Sequence, residues 1–295
     1  MEDHAYLIPV ISRTKNHTPV TYQHIPWLAE RHPIAVLMYQ DGSVKGLKDI
    51  RMDQQPMSPC GIMLDPPARS VTDVYTQAAG ALHADKRVLV LYVDGLGYGL
   101  YLRLKHTLSP FIQKKRMSPA LCVYPPVTNP NMASMLTGVL PPEHGVHSRK
   151  DKRLLKPSLL ALSQSLNKRA VLVEGDIAIL QTEIPPILNA APRSAGDQAV
   201  YACARRQLSN GADLTIAHFH GLDDLMHQSG PVIPLMEEKL SELCGYFLKL
   251  CEGFSGRVIL SSDHGGHTEG AAGSHGSFTW EDMLVPFGAW DWSEV

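Results

Sequence analysis

The chain has 295 residues, of which 44% are hydrophobic and 19% charged, and its 27 Lys+Arg against 29 Asp+Glu give a formal net charge of −2. This composition is typical of a globular chain long enough for one large domain or two small ones. It lacks the basic excess of a nucleic-acid-binding protein, so we expect no duplex nucleic acid partner.

The N-terminal stretch MEDHAYLIPVISRTK has acidic residues where a signal peptide is basic. No apolar run approaches the roughly 20 residues of a membrane span. The 5 cysteines form no CxxC pair, which argues against a disulfide framework or a thiolate zinc site. These features predict a cytoplasmic protein with reduced thiols and no membrane span.

The first 86 residues differ in pattern from the rest. Two short apolar runs flank Asp41-Gly42, which predicts a β-hairpin, and a proline-rich stretch follows. We expect residues 1–86 to form an accessory segment or extra strands, and residues 87–295 to form the main domain.

From residue 87 onward, β-rich apolar runs alternate with helical patterns. The helical pattern is clearest over 235–251, where apolar residues recur every three or four positions. Near-continuous hydrophobicity in the strands indicates burial on both faces, as in a parallel sheet covered by helices. The fold class is therefore α/β, a three-layer sandwich with a mostly parallel central sheet. The predicted strands are 88–93, 170–174, 214–220 and 257–262.

Two strand ends carry groups that bind cations, in a chain with 14 histidines. Asp94 follows the first strand, where Asp-Gly is more often simply a turn. Asp263 and His264 follow the last, with His267 and His275 within a dozen residues. Ligands bind at the carboxyl ends of parallel strands, and carboxylate and imidazole are good zinc ligands.

A third segment, HFHGLDDLMHQSGP, has Asp223 and His227 four residues apart. On a helix they share one face and can chelate one ion, although a solvated helix face has the same pattern. His218, His220 and Asp224 are competing candidates that the sequence does not exclude.

Thr128 precedes a short helical pattern that Gly138 is expected to end. Its hydroxyl and the following N–H groups would stand at a helix N-terminus, which favours an anion such as phosphate. Thr before a helix is more commonly just an N-cap.

Taken together, these motifs resemble the alkaline phosphatase superfamily, and in particular its nucleotide pyrophosphatase/phosphodiesterase branch. The likeness covers roughly residues 87–290. The motifs, in order, are VDGLG at 93–97, TNPN at 128–131 with LTG at 136–138 and PPEHG at 141–145, DDLMHQSGP at 223–231, SDHG at 262–265 and GSHG at 273–276.

The resemblance implies an alkaline phosphatase-like fold and two zinc ions, with Mn²⁺ as an alternative metal. Asp223, His227 and His275 would hold one ion. Four groups would hold the other ion: Asp94, Asp263, His264 and the hydroxyl of Thr128. Thr128 would be the nucleophile of a phosphatase or phosphodiesterase, forming a phosphothreonine that water hydrolyses.

Two further residues are implied as substrate-binding. Asn131 belongs to the TNPN motif. Arg149 stands where relatives commonly have an asparagine that holds phosphoryl oxygens; an arginine there either favours a dianionic monoester or is a solvated charge. We expect a small-molecule phosphate ester as substrate.

Only ten residues separate His264 from His275, where relatives usually insert a cap, so the chain resembles an uncapped core with an open pocket. Phosphomutases and phosphonate hydrolases on the same core remain alternatives that the missing cap disfavours. A non-catalytic binding protein is the third alternative, disfavoured because every matched ligand position holds a usable group.

Overall fold

The computed structural model describes residues 69–293, apart from 114, 116, 193, 194 and 278, together with two short strands nearer the N-terminus. Those strands, β1 (Val36–Met38) and β2 (Val44–Gly46), pair antiparallel with Val36 opposite Gly46. They confirm the hairpin predicted around Asp41-Gly42. The proline-rich stretch after it lies outside the described residues.

The central sheet has eight strands in the order β3-β5-β12-β9-β4-β8-β6-β7. All neighbours pair parallel except β12, which is antiparallel to both β5 and β9. The strands are β3 (Arg69–Ser70), β4 (Val88–Val93), β5 (Ser118–Leu121), β6 (Ala170–Glu174), β7 (Ile187–Leu188), β8 (Leu214–Phe219), β9 (Gly256–Ser262), the separate two-stranded pair β10 (His267–Glu269) and β11 (Ala272–Ser274), and β12 (Leu284–Trp292).

Helices cover both faces of the sheet. The helices are α1 (Asp73–His83), α2 (Tyr98–Ile112), α3 (Thr128–Thr137), α4 (Pro141–His144), α5 (Leu159–Ser165), α6 (Gly196–Ser209), α7 (Gly221–Ser229), α8 (Ile233–Cys251) and α9 (Trp280–Met283). One core cluster joins α2, α6, α7 and α8 to the sheet, and the other joins α1, α3 and α5 to its opposite face. The three-layer α/β sandwich with a mostly parallel sheet is therefore confirmed.

Strand β4 shows why its sequence is apolar throughout. Leu89 and Leu91 pack into the first cluster, whereas Val88 and Val90 pack into the second. Side chains alternate between the two faces of a strand, and both faces are covered here. An unbroken apolar run is the expected result for such a strand.

The residues just before 87 belong to the same body as the rest. Strand β3 pairs with β5 at the sheet edge, and Val74, Ala78 and Leu82 of α1 are buried in the second cluster. The core thus begins by residue 69, earlier than the expected division at residue 87. The division of the preceding chain stays a prediction.

Gly138 supports a stability prediction, because it ends α3 with a left-handed φ of +70° and a Cβ there would lie 2.6 Å from Cδ1 of Tyr75. We expect Gly138→Ala to lower the free energy of unfolding by about 2–4 kcal/mol, from left-handed strain plus overpacking, as measured by urea denaturation. Gly211 has a φ of +81° with nothing within 4 Å of an added Cβ, so Gly211→Ala should lose only about 1–2 kcal/mol. Equal losses in the two variants would contradict the steric contribution of Tyr75.

Candidate metal centre and catalytic cavity

Two neighbouring strands bring the first group of predicted ligands together. In the parallel pair β4 and β9, Val93 lies opposite Ser262, so Asp94 and the Asp263-His264 pair leave the sheet side by side. His264 Nε2 lies 3.2 Å from Asp94 Oδ1 and 3.3 Å from Asp263 Oδ2. The backbone N–H of Gly95 donates to Asp263 Oδ1 at 3.2 Å, which holds that carboxylate in place.

The second group meets on α7, just after β8. Asp223 and His227 are one turn apart on this helix, with His227 Nε2 3.2 Å from Asp223 Oδ2, so the condition for a shared face is met. His275, beyond β11, places its Nε2 3.9 Å from Asp223 Oδ1. The rings of His275 and His264 stack with centroids 3.6 Å apart, so the two groups are contiguous.

All three imidazoles share one pattern of hydrogen bonding. The Nδ1 atom of His227 contacts the carbonyl of Gly273 at 3.2 Å, that of His264 the carbonyl of Gly265 at 2.9 Å, and that of His275 the carbonyl of Pro126 at 2.9 Å. A carbonyl can only accept, so each Nδ1 carries a proton, and Nε2 is the nitrogen that is left to bind a cation when it is not itself protonated. Metal-binding histidines are commonly oriented in this way.

Several of the converging atoms are buried and have no hydrogen-bond partner among the described residues. They are Asp94 Oδ1, Asp223 Oδ1, Asp263 Oδ2 and His264 Nε2. Buried polar atoms are normally satisfied. Moreover, two ligands on a tetrahedral zinc with bonds of about 2.0–2.1 Å stand about 3.3 Å apart, close to the 3.2–3.3 Å separations in both groups. These residues fit divalent cations.

The charges in the cluster are strongly perturbed. Burial, with Asp94 nearby, raises the pKa of Asp223 to about 8 and that of Asp263 to about 6. Burial opposes the charged form of His264, but Asp263 and Asp94 raise its pKa to about 10. Burial and the neighbouring His264 lower the pKa of His275 to about 3. Such perturbation by burial and charge is typical of functional sites.

Thr128 is the first residue of α3, and the N-cap is Val127, which forms no side-chain cap. The N-cap alternative for Thr128 is therefore wrong. Gly138 ends the helix as predicted. The hydroxyl-bearing residue stands at a helix N-terminus, where free N–H groups and the helix dipole favour an anion.

Thr128 lines a cavity of about 250 Å³ together with Asp223 and His275 of the second ligand group. Its lining consists of Thr128, Asn129, Arg149, Lys152, Ile177, Ile179, Asp223 and His275. The isoleucines come from the segment after β6, which the sequence did not indicate. Arg149 and Lys152 make one wall positive, as a phosphate requires.

Asn131 does not bind substrate here, contrary to the expectation. It is fully buried, its Oδ1 accepts from the N–H of Val123, and its Nδ2 donates to the carbonyls of Val123, Pro125 and Val127. With the whole amide used by the backbone, Asn131 shapes the turn that leads into Thr128.

Three further residues lie behind Asp94. The sequence patterns assign no role to Glu174, and they leave His218 and His220 as competing candidates for metal ligands. Glu174 at the end of β6 is fully buried and contacts His218 and His220. Both histidines also face Asp94 Oδ2, at 3.4 and 3.3 Å. Asp223, not His218 or His220, lies beside His227.

Comparison with known proteins finds one family model that matches part of the chain. Residues 88–157, which include Asp94, Thr128 and Arg149, match the model of the type I phosphodiesterase / nucleotide pyrophosphatase family. This match covers less than half of the chain. It supports the resemblance to the nucleotide pyrophosphatase/phosphodiesterase branch of the alkaline phosphatase superfamily.

Solved structures of this branch share the fold. Murine ectonucleotide pyrophosphatase/phosphodiesterase 5 superposes with a TM-score of 0.53 at 17% identity, covering 63% of this chain and 58% of that one. Its inactive variant in complex with AMP has a TM-score of 0.52, and the human protein 0.51, with the same identity and coverage.

A curated relative is the catalytic subunit of human GPI ethanolamine phosphate transferase 2. It is 26% identical over an alignment of 180 residues that covers 55% of this chain and 18% of that protein. The chain thus spans less than a fifth of this relative's length, and about three fifths of the solved chains. Among the described helices, none is long and apolar enough to cross a bilayer.

Proposed function

We propose that this protein is a phosphoester hydrolase in which Thr128 attacks phosphorus beside two divalent cations, with zinc as the native metal. The observation that carries the proposal is that Asp223 and His275 line the same cavity as Thr128, next to buried carboxylate oxygens that have no hydrogen-bond partner among the described residues. A mixed set of imidazole and carboxylate donors suits zinc better than magnesium.

The ligands divide into two sets. One ion would be held by Asp223, His227 and His275. The other would lie next to Thr128 and would be held by Asp94, Asp263 and His264. Bound there, the two ions would lower the pKa of the threonine hydroxyl and neutralise charge on the attacking and leaving oxygens of an in-line displacement.

The chain's own groups do the rest. The N–H groups of Thr128 and Asn129 at the start of α3 bind the phosphoryl oxygens, and Arg149, which lines the same cavity, binds the same group. Thr128 Oγ1 gives its proton to solvent and bonds to phosphorus as the bond from phosphorus to the ester oxygen breaks, and the leaving oxygen takes a proton from water. Water then attacks the phosphothreonine, releasing phosphate or a monoester and restoring the hydroxyl.

A side-by-side substrate screen tests this proposal. Zinc-loaded protein is given p-nitrophenyl phosphate, bis-p-nitrophenyl phosphate, nucleoside triphosphates and a phosphonate. Nucleotides are included because a structural relative was solved with AMP. Release of nitrophenol or nucleotide cleavage supports hydrolysis, whereas no turnover of any phosphoester by the fully loaded protein would overturn it.

A transferase is the second candidate, favoured by the human ethanolamine phosphate transferase relative. Transfer would use the same phosphothreonine, captured by an alcohol in place of water. Adding ethanol or glycerol to the assay and identifying products by mass spectrometry distinguishes the two. An alkyl phosphate as the main product at low alcohol concentration would favour transfer, and free phosphate would favour hydrolysis.

Arg149 supports a further prediction. Its guanidinium donates to Nε2 of His275, an atom that can accept this bond or bind a cation but not both, so a bound cation releases the arginine toward the cavity. Loss of a charged hydrogen bond is worth about 1.5–3 kcal/mol, so Arg149→Ala should lower kcat/KM for a phosphate monoester roughly 10–100-fold, mainly through KM. Steady-state kinetics measure it.

The neighbouring Lys150 is exposed and provides the matched control, since Lys150→Ala should leave kcat/KM within about twofold of the parent. Arg149→Asn, which restores the residue common in relatives, should shift preference from monoester toward diester. Equal losses for monoester and diester in Arg149→Ala would refute a role in recognising the dianion.

A further inference from the structure

Asp282 is a fully buried carboxylate in the short helix α9, and the proposed function gives it no part. Strand β12 begins two residues later and runs antiparallel to β9, with Phe287 opposite Ser261. Because the two strands run in opposite directions, the start of β12 lies at the carboxyl end of β9. The chain leaves β9 there toward His264, so Asp282 lies at the edge of the sheet that carries the metal ligands.

The side chain and the main chain of Asp282 both accept hydrogen bonds. Its Oδ1 lies 2.7 Å from Nδ1 of His267, and its Oδ2 accepts from the backbone N–H of Ser277 at 2.7 Å. Its main-chain carbonyl accepts from the N–H of Gly265 at 2.9 Å. A carboxylate oxygen has no proton to donate, so Nδ1 of His267 is the donor in the first of these bonds.

These bonds lie next to one ligand of each group. Gly265 directly follows His264, and Ser277 stands two residues after His275. His264 belongs to the ligand group at the ends of β4 and β9, whereas His275 belongs to the group on α7. The rings of these two histidines stack with centroids 3.6 Å apart, where the two groups meet. One buried residue therefore holds the chain beside a ligand of each proposed cation.

The chain between the two ligands is the hairpin of β10 and β11, in which His267 lies opposite Ser274. The two oxygens of the Asp282 carboxylate bind His267, which begins this hairpin, and Ser277, which follows it. Among the described residues, His267 belongs to no group of converging ligand atoms. It stands between two proposed metal ligands, and its role is to tie the hairpin to Asp282.

Asp282 is itself fixed to the core of the protein. Met283 is fully buried, and its carbonyl accepts from the N–H of Cys122 at 2.9 Å. A Cβ on Gly265 would overlap the carbonyl oxygen of Glu281, so the loop after β9 passes α9 at a distance that only glycine allows. The helix is thus a fixed support against which the ligand loops are held.

We propose that Asp282 is a positioning residue that holds His264 and His275 in the geometry that binds two cations. Removing the outer hydrogen bonds of a metal site typically weakens metal binding 10–100-fold. Asp282 supports one ligand of each group, so both cations should bind more weakly without it. The inference rests on the proposed function, since it requires both ligand groups to bind cations.

Zinc affinity tests this inference, measured by competition with a chelator well below the unfolding temperature of each variant. We expect Asp282→Ala to bind both zinc ions at least about 10-fold more weakly than the parent. Asp282→Asn leaves one oxygen for two N–H donors and should show an intermediate loss, and it decides the question alone if Asp282→Ala does not fold. Asp291 pairs with Lys86 at the far end of β12 and its side chain is 54% exposed, so Asp291→Asn should match the parent.

A cobalt-substituted protein separates positioning from simple stabilisation, because its visible absorption reports the coordination geometry of the metal. The spectrum of fully loaded Asp282→Asn should differ from that of the parent, and the spectrum of Asp291→Asn should not. Parent affinity and parent spectrum in both Asp282 variants, with only a lower Tm, would overturn the inference and leave the proposed function standing. A parent that binds no zinc would overturn both. Weakened zinc binding in Asp282→Ala, with no phosphoester turnover by the loaded parent, would overturn the proposed function alone.

Discussion

Replacing Thr128 with alanine should abolish phosphoester turnover while both proposed zinc ions remain bound. The six protein ligands of the two sets are unchanged in this variant, and Thr128 supplies only its hydroxyl. Removing a nucleophile that forms a covalent intermediate typically costs on the order of 10⁴–10⁶ in kcat. Stopped assays with bis-p-nitrophenyl phosphate and metal analysis by mass spectrometry measure the two quantities together.

Two controls sharpen this experiment. Thr128→Ser keeps a hydroxyl at the N-terminus of α3 and should retain measurable activity with a phosphoserine trapped at low pH. Thr137 lies at the other end of α3 and donates to the carbonyl of Ala133, so Thr137→Ser should turn over like the parent. Full activity in Thr128→Ala would refute the proposed nucleophile.

Removing the metals should destabilise the protein far more at pH 8 than at pH 5. In the metal-free protein the carboxyl of Asp223 has its pKa raised from 3.8 to about 8. A raised carboxyl pKa means that the folded state holds its proton more tightly than the unfolded state, so the stability it contributes is full below about 4 and is lost as pH rises toward 8.

Other groups of the cluster add to or oppose this trend. Asp263, whose pKa is raised to about 6, has the same sign. His264, raised to about 10, contributes stability below its ordinary pKa of 6.5 that is lost as pH rises through 10. His275, lowered to about 3, opposes them by costing stability as pH falls below 6.5. Bound cations compensate the carboxylates, and they bind better at high pH because their ligands must be deprotonated.

At a free zinc concentration 1,000-fold above Kd, binding at one site stabilises the fold by about 4 kcal/mol. This corresponds to a rise in Tm of roughly 10 °C for a protein of this size. Differential scanning fluorimetry with and without a chelator at pH 5, 6.5 and 8 measures the difference. Asp223→Asn should flatten the pH dependence of the chelated protein, and Glu238→Gln, an exposed change on α8, should not. A Tm that is independent of chelator at pH 8 would contradict the metal centre.

The spacing of hydrophobic residues along the sequence predicted four strands of the central sheet and helix α8. The strand predictions at 88–93 and 170–174 coincide with β4 and β6, and the helical stripe at 235–251 lies within α8 (Ile233–Cys251). The apolar period alone carries this information, because each residue's position on a strand or helix follows from its spacing. The ligand candidates were found for the same reason: each follows a strand or occupies one face of one helix turn.

The contacts of individual side chains could not be predicted from these sequence patterns. Asn131 belongs to the same motif as Thr128, yet its side-chain amide forms hydrogen bonds with four backbone groups of its own turn. Glu174 reads as the last residue of a strand, and it reaches His218 only because β6 and β8 are neighbours in the sheet, 44 residues apart in the chain.

The sequence by itself thus determined the layered fold, the family likeness and the list of ligating groups, since period-2 and period-3.6 spacing and motif order are properties of neighbouring residues. The tertiary structure alone decided which oxygen of Asp94 faces which histidine. It also decided that the side-chain amide of Asn131 is hydrogen-bonded to the backbone, and that Glu174 contacts His218 and His220. Those relations depend on strand order and on distances of 3–4 Å between residues far apart in the chain, which spacing along the sequence does not encode.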